Sequence, residues 1–94
     1  MKNFTFKDYK KLMMSDSAFV EEYEALRPKY EAISLVIKNR LKKNMTQKEL
    51  ADKIGTKQAN ISRFESGKIS PSIDFLSKLA QAFNMKVDIK FKAN

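Results

Sequence analysis

The sequence predicts an all-α chain: a compact helical bundle preceded by an N-terminal helical leader and followed by a short C-terminal β-strand. Three observations point there. Only two glycines and two prolines interrupt 94 residues that are rich in Lys, Leu, Ala and Glu. Apolar side chains recur at three- and four-residue spacing over most of the chain. The last residues then change to strict alternation. The length suits one small domain with a modest core.

Phe6, Tyr9 and Met13 share one face of a helix over 6–14. Asp16 or Ser17 can cap a second short helix, with Phe19, Val20, Tyr23 and Leu26 on one side and Glu21, Glu22 and Glu24 elsewhere. Arg27-Pro28 predicts a break, and Pro28 suits the first turn of a longer helix, where its missing N–H is not needed. Tyr30, Ile33, Ile37 and Leu41 form the stripe of that helix, and Lys42 and Lys43 complement the dipole at its end. Thr46 followed by Glu49 is a capping box, in which each side chain satisfies a backbone N–H of the first turn.

Leu50, Ala51 and Ile54 give the next helix its inner face, and Gly55 supplies the positive φ that stops it. Thr56 is the expected cap of the following helix. Ile61 and Phe64, with Ala59 near them, face inward there, and Gly67 closes it, which leaves Lys57, Gln58, Asn60 and Arg63 outward. Ser70-Pro71-Ser72 is a turn with a cap, Ile73, Leu76, Leu79, Ala80 and Phe83 form the last helical stripe, and Asn84 can end it. Val87, Ile89 and Phe91 alternate with Lys86, Asp88, Lys90 and Lys92, the pattern of a half-buried strand. A lone strand needs a partner: a second copy, a neighbouring protein's sheet, its own domain, or residues 2–6. Val87, Ile89 and Phe91 are the candidate dimerisation residues.

Net charge is +8, from 19 basic and 11 acidic side chains. Such an excess favours a polyanionic partner without saying which. It is unevenly spread: residues 27–45 set six basic side chains against Glu31 alone, whereas residues 1–26 hold five acids against four lysines. There is no cysteine and no histidine, which removes disulfides, thiol nucleophiles and the usual zinc site. No acid, hydroxyl or lysine pair sits in a recognisable reactive motif, so no catalytic residue, metal or cofactor is expected. Glu21, Glu22 and Glu24 read as a solvated or partner-facing acidic patch. No run approaches the roughly 20 apolar residues that cross a bilayer, and a cytoplasmic protein is expected.

Residues 46–68 closely resemble the lambda repressor/Cro-type helix-turn-helix of the XRE family. Its signature positions are filled by Thr46, Gln47, Leu50, Ala51, Gly55, Gln58, Ile61, Ser62, Glu65 and Gly67. The resemblance implies that the second helix enters the major groove of double-stranded DNA while the first lies across the backbone. Gln58 then leads the base-reading set, because its amide can pair with adenine N6 and N7. Lys57 and Arg63 can reach guanine or a phosphate, Ala59 offers only a methyl contact, and Asn60 is a secondary reader. Thr46, Gln47, Thr56, Ser62, Ser66 and Lys68 fall to the sugar-phosphate backbone, where they position and do not specify.

Residues 16–31 resemble the leader of HigA-type antitoxins of type II toxin–antitoxin systems, with a pattern of the form Phe-x-x-Glu-Tyr-x-x-Leu. That likeness implies a basic, mRNA-cleaving toxin of the RelE/HigB class as partner, an operator in the chain's own operon, and a homodimer or a toxin–antitoxin heterotetramer. Phe4, Phe6, Tyr9, Phe19, Val20, Tyr23 and Leu26 are the expected toxin anchors, and Glu21, Glu22 and Glu24 give charge complementarity. The same side chains could instead pack on the chain's own helices. The expected division is a leader over 1–27, a DNA-binding domain over 28–84 with its motif at 46–67, and a strand over 85–94. A stand-alone regulator without a toxin is the other reading, and an enzyme a remote third.

Overall fold

The computed structural model describes the backbone of residues 17–93 and the side chains of residues 24–93. Within them four helices follow in order: α1 (Ser17–Lys42), α2 (Gln47–Ile54), α3 (Gln58–Glu65) and α4 (Ile73–Ala82). The expected helix over 6–14 lies outside the described residues. The all-α class is the one the sequence predicts, but its terminal strand is not formed, since residues 85–93 carry no strand pairing among the described residues. A strand exists through hydrogen bonds to a second extended segment, and the described chain is otherwise helix and tight turn.

The break expected at Arg27-Pro28 is also absent, because α1 runs unbroken through Pro28. An internal proline removes one helical N–H and crowds the carbonyl four residues back, here that of Glu24. Two features offset this. Residues 24–28 are exposed, so solvent can reach the stranded carbonyl. Arg27 also stands within 3.3 Å of Glu24 and 3.4 Å of Glu31, bridging the turns on either side of the proline.

The core consists of Ile33 and Val36 from α1, Leu50 and Ala51 from α2, Ile61 and Phe64 from α3, and Leu79, Ala82 and Phe83 at the end of α4. Phe64 lies at its centre, fully enclosed, and meets Phe75 edge to face at 5.7 Å. On α1 the inner face is centred on Ile33 and Val36. Leu41, expected in the stripe, is 60% exposed. Leu41 lies on the outer side of the last turn, whereas Lys43 just beyond it lies 6.0 Å above the Phe83 ring.

All four helices close in the same way. Asn44, Gly55, Gly67 and Asn84 each adopt a positive φ, and paired backbone bonds such as Thr56 N–H to Ala51 O (2.9 Å) and Lys68 N–H to Arg63 O (3.0 Å) complete a Schellman turn. Phe64→Ala is expected to destabilise the fold by about 3–5 kcal/mol in urea unfolding. Leu41→Ala, an apolar truncation on the exposed side of α1, should change it by less than about 0.5 kcal/mol. A comparable loss from both would contradict this placement of the core.

Candidate nucleic-acid interface

The geometry starts at the capping box. Thr46 is extended (φ −77°, ψ 164°), its hydroxyl accepts from the Glu49 N–H at 3.0 Å, and the Glu49 carboxylate accepts from the Thr46 N–H at 2.9 Å. The Thr46 backbone N–H foremost, and its side chain after it, hold the Glu49 carboxyl below the usual carboxylate range. Gly55 (φ 76°) then turns the chain, and α3 begins three residues later. Any side chain at Gly55 would find open space but would be strained by that φ.

Thr56 does not cap α3 as expected. The cap position falls to Lys57, which has no side chain able to accept, and the first-turn N–H groups of α3 are left without a side-chain acceptor. Thr56 is used otherwise: its hydroxyl accepts from Asn60 Nδ2 at 2.8 Å, clipping the turn to the helix.

The anchor of α3 is one that the sequence reading missed. Glu65, its side chain 6% exposed, accepts from Arg40 Nε at 2.7 Å, from Arg40 Nη2 at 2.8 Å and from Gln47 Nε2 at 3.0 Å. Arg40 donates a further bond to Met45 O at 3.0 Å. The Glu65 hydrogen bonds raise the Arg40 pKa above its ordinary value, against the burial that lowers it. Just beyond Glu65, Lys29 Nζ donates to Gly67 O at 3.0 Å, a cation placed at the negative C-terminal end of the helix. A legible signal for Arg40 existed: it lies one turn beyond Val36 and Ile37, where an apolar stripe would continue. No comparable signal marked Lys29.

Against this frame the expected site residues divide. Lys57, Gln58, Ala59, Ser62, Arg63, Ser66 and Lys68 are exposed along α3 and its close. Among the described residues, Lys57, Gln58, Arg63 and Lys68 make no side-chain bond within the chain. Asn60, expected as a base reader, is half-buried and engaged with Thr56; Gln47 is engaged with Glu65; Ser66 Oγ donates to Arg63 O at 3.1 Å. The structure thus sets Gln47 at the start of α2 against the end of α3 and leaves a free polar row on α3. Chemically, that row offers a bidentate amide, a guanidinium and ammonium groups to an anionic, hydrogen-bonding surface.

Of the expected toxin anchors, Phe4, Phe6 and Tyr9 lie outside the described residues, and so do the side chains of Phe19, Val20, Glu21, Glu22 and Tyr23 on the first turns of α1. Glu24 pairs with Arg27 of its own helix, and Leu26 is 41% exposed. Val87 is half-buried, while Ile89 and Phe91 are exposed. Among the described residues no group of three or more acidic side chains could hold a metal ion, and no helix is long and apolar enough to cross a membrane.

The helix-turn-helix family model matches residues 36–90. A protein of Archaeoglobus fulgidus named as an HTH-type transcriptional regulator is 43% identical over 49 residues, covering 52% of this chain and 69% of that protein. A second from the same organism, with the same name, is 40% identical over 52 residues, covering 55% and 74%. A third so named, from Methanocaldococcus jannaschii, is 37% identical over 57 residues, covering 55% and 86%. No solved structure matches the chain.

Removing Glu65 is the sharpest test of the anchor. Glu65→Ala leaves a mostly buried guanidinium unpaired and should cost about 3–5 kcal/mol in chemical unfolding, whereas Arg40→Met combined with Glu65→Leu should recover most of that loss. Additive losses in the double variant would show that the pair is not coupled.

Proposed function

The chain belongs to the helix-turn-helix family, and from that membership we propose that it is a sequence-specific DNA-binding regulator of transcription, with no enzymatic activity of its own. One observation carries the reading: a row of unpaired polar side chains on α3, held rigidly by Arg40, Glu65 and Gln47 beneath it. Helical readers place such a row in the major groove, where bases present distinct donor and acceptor patterns. Gln58, at the first position of α3, is the principal base reader; Lys57 and Arg63 flank it, and Ala59 presents a methyl group between them. Asn60 acts through the Thr56 clip more than through bases. Thr46, Gln47, Thr56, Ser62, Ser66 and Lys68 set the register on the phosphates. The likeness to proteins named as transcriptional regulators supports this reading, as does the net charge of +8.

A narrower reading adds a toxin. The acidic and aromatic leader over 1–27 resembles that of HigA-type antitoxins, so residues 28–84 would hold the operator while the leader covers a basic RelE/HigB-like protein. Phe4, Phe6, Tyr9, Phe19, Val20, Tyr23 and Leu26 would be the anchors, assisted by Glu21, Glu22 and Glu24. The stand-alone regulator needs none of this, and the names of the relatives fit it at least as well. Both would operate in the cytoplasm.

Gln58→Ala should weaken binding to the cognate operator by about 1–3 kcal/mol and relax base choice. Lys68→Ala should weaken cognate and scrambled duplexes alike and flatten the salt dependence by about one unit of slope. Equal losses on both duplexes for Gln58→Ala would defeat its assignment. For the toxin reading, the chain should co-purify with a small basic protein encoded beside it and rescue growth against it. Failure of both would leave the stand-alone regulator.

A further inference from the structure

The turn that closes α3 lies against the middle of α1. Gly67, at φ 77°, faces that helix: a methyl group on its Cα would stand 3.8 Å from Tyr30 Cε1 and 4.0 Å from Ile33 Cδ1. Its carbonyl accepts from Lys29 Nζ at 3.0 Å. Lys29, Tyr30 and Ile33 share one side of α1, since residues three and four apart on a helix are neighbours. Ile33 is buried and belongs to the core, whereas Lys29 is half-buried and directs its ammonium at the turn. On either side of the Gly67 carbonyl stand Ser66 and Lys68, both exposed and both assigned to the DNA backbone.

We propose that Lys29 is a positioning residue for DNA binding: by holding the Gly67 carbonyl it fixes the path of residues 66–68, and so the direction from which Lys68 meets a phosphate. This role rests on the DNA-reading function above. It adds to that function a side chain 38 residues earlier in the chain, one that acts on the interface without itself touching DNA.

The physical reason lies in one peptide plane. The Gly67 carbonyl and the Lys68 N–H belong to the same planar unit, which also carries the Lys68 Cα. Its N–H donates to Arg63 O at 3.0 Å, inward to α3, and its carbonyl accepts from Lys29, outward from α1. A plane bonded at one edge can swing about that bond; bonded at both edges it cannot. The Lys68 side chain therefore leaves the turn in a set direction before DNA arrives, which lowers the ordering cost of the contact. A cation is the donor suited to this place, because the C-terminal end of a helix carries partial negative charge. A contribution of Lys29 through its charge alone would be independent of Lys68, whereas one through position vanishes when Lys68 is removed.

A double-mutant cycle on DNA affinity separates position from charge. Lys29→Met keeps the length of the side chain and removes the donor; it should weaken cognate and scrambled duplexes alike by at least about threefold, with unchanged helical circular dichroism. Lys68→Ala should weaken binding by about three- to tenfold in the wild type and by less than about twofold in the Lys29→Met background. Lys29→Arg, which keeps a donor, should restore both affinity and coupling. Without DNA, Lys29→Met should speed exchange of the Lys68 amide proton at least about tenfold and leave that of Thr56, its counterpart at the close of α2, unchanged. Losses that multiply across the two sites, or a Lys68 amide indifferent to Lys29→Met, would overturn this role while the DNA-reading function stood. A wild-type chain that binds no duplex would overturn both.

Discussion

The bundle depends on one carboxylate. Glu65 is almost fully enclosed, which a charged group tolerates only when its lone pairs are taken up. Two donors from Arg40 and one from Gln47 do this, so a single side chain of α3 ties it to α1 and α2 at once. Arg40 in turn holds Met45 O, fixing the short link between those two helices. Apolar burial by itself is non-directional. Ile61 and Phe64 would keep α3 against the core, but they would allow it to roll about its own axis. The charged pair removes that freedom, and with it the uncertainty over which side chains face outward.

The helices themselves are too short to stand alone. Eight residues in α2 and eight in α3 fall well below the length at which an isolated helix is stable in water. Their ends supply part of what length does not. The Thr46 and Ser72 caps satisfy first-turn N–H groups, and the four positive-φ closures satisfy last-turn carbonyls. Gly67 does more than permit the turn. Its carbonyl receives Lys29, so the close of α3 is also where the middle of α1 grips it. α1 thereby holds the C-terminal end of α3 twice, through Arg40 at Glu65 and through Lys29 at Gly67.

Much of this was legible in the sequence, and what was not shares a physical cause. Local signals held: the Thr46–Glu49 box, the stops at Gly55, Gly67 and Asn84, the Ser72 cap, and the burial of Leu50, Ala51, Ile61 and Phe64. Each depends on residues within one turn of one another. The failures depended on what lay elsewhere. Pro28 reads as a break in isolation, yet the helix survives it at an exposed turn bridged by Arg27. Leu41 fits the stripe, but at this level of α1 the side turned to the bundle is taken by Arg40, and Leu41 is left exposed. The alternation at Val87, Ile89 and Phe91 reads as a strand, but among the described residues no second extended segment pairs with it. Arg40–Glu65 joins residues 25 apart, and periodicity carries no information over that span.

The free and engaged side chains around α3 separate two demands that a reader of DNA must meet. A side chain that sets the register must already be in place, and Gln47 and Thr56 are, each fixed by a bond to a neighbour. A side chain that discriminates between bases must have its donors and acceptors unspent, and Gln58 and Arg63 do. Keeping them free has an entropic cost on contact, on the order of 0.5–1.5 kcal/mol for each long side chain ordered. That cost falls equally on right and wrong sequences, so it lowers affinity without lowering discrimination. Ala59 alters this balance locally: it has no rotamer freedom to lose and no side-chain hydrogen bond to offer, so under the proposed reading its position would contribute an apolar contact alone.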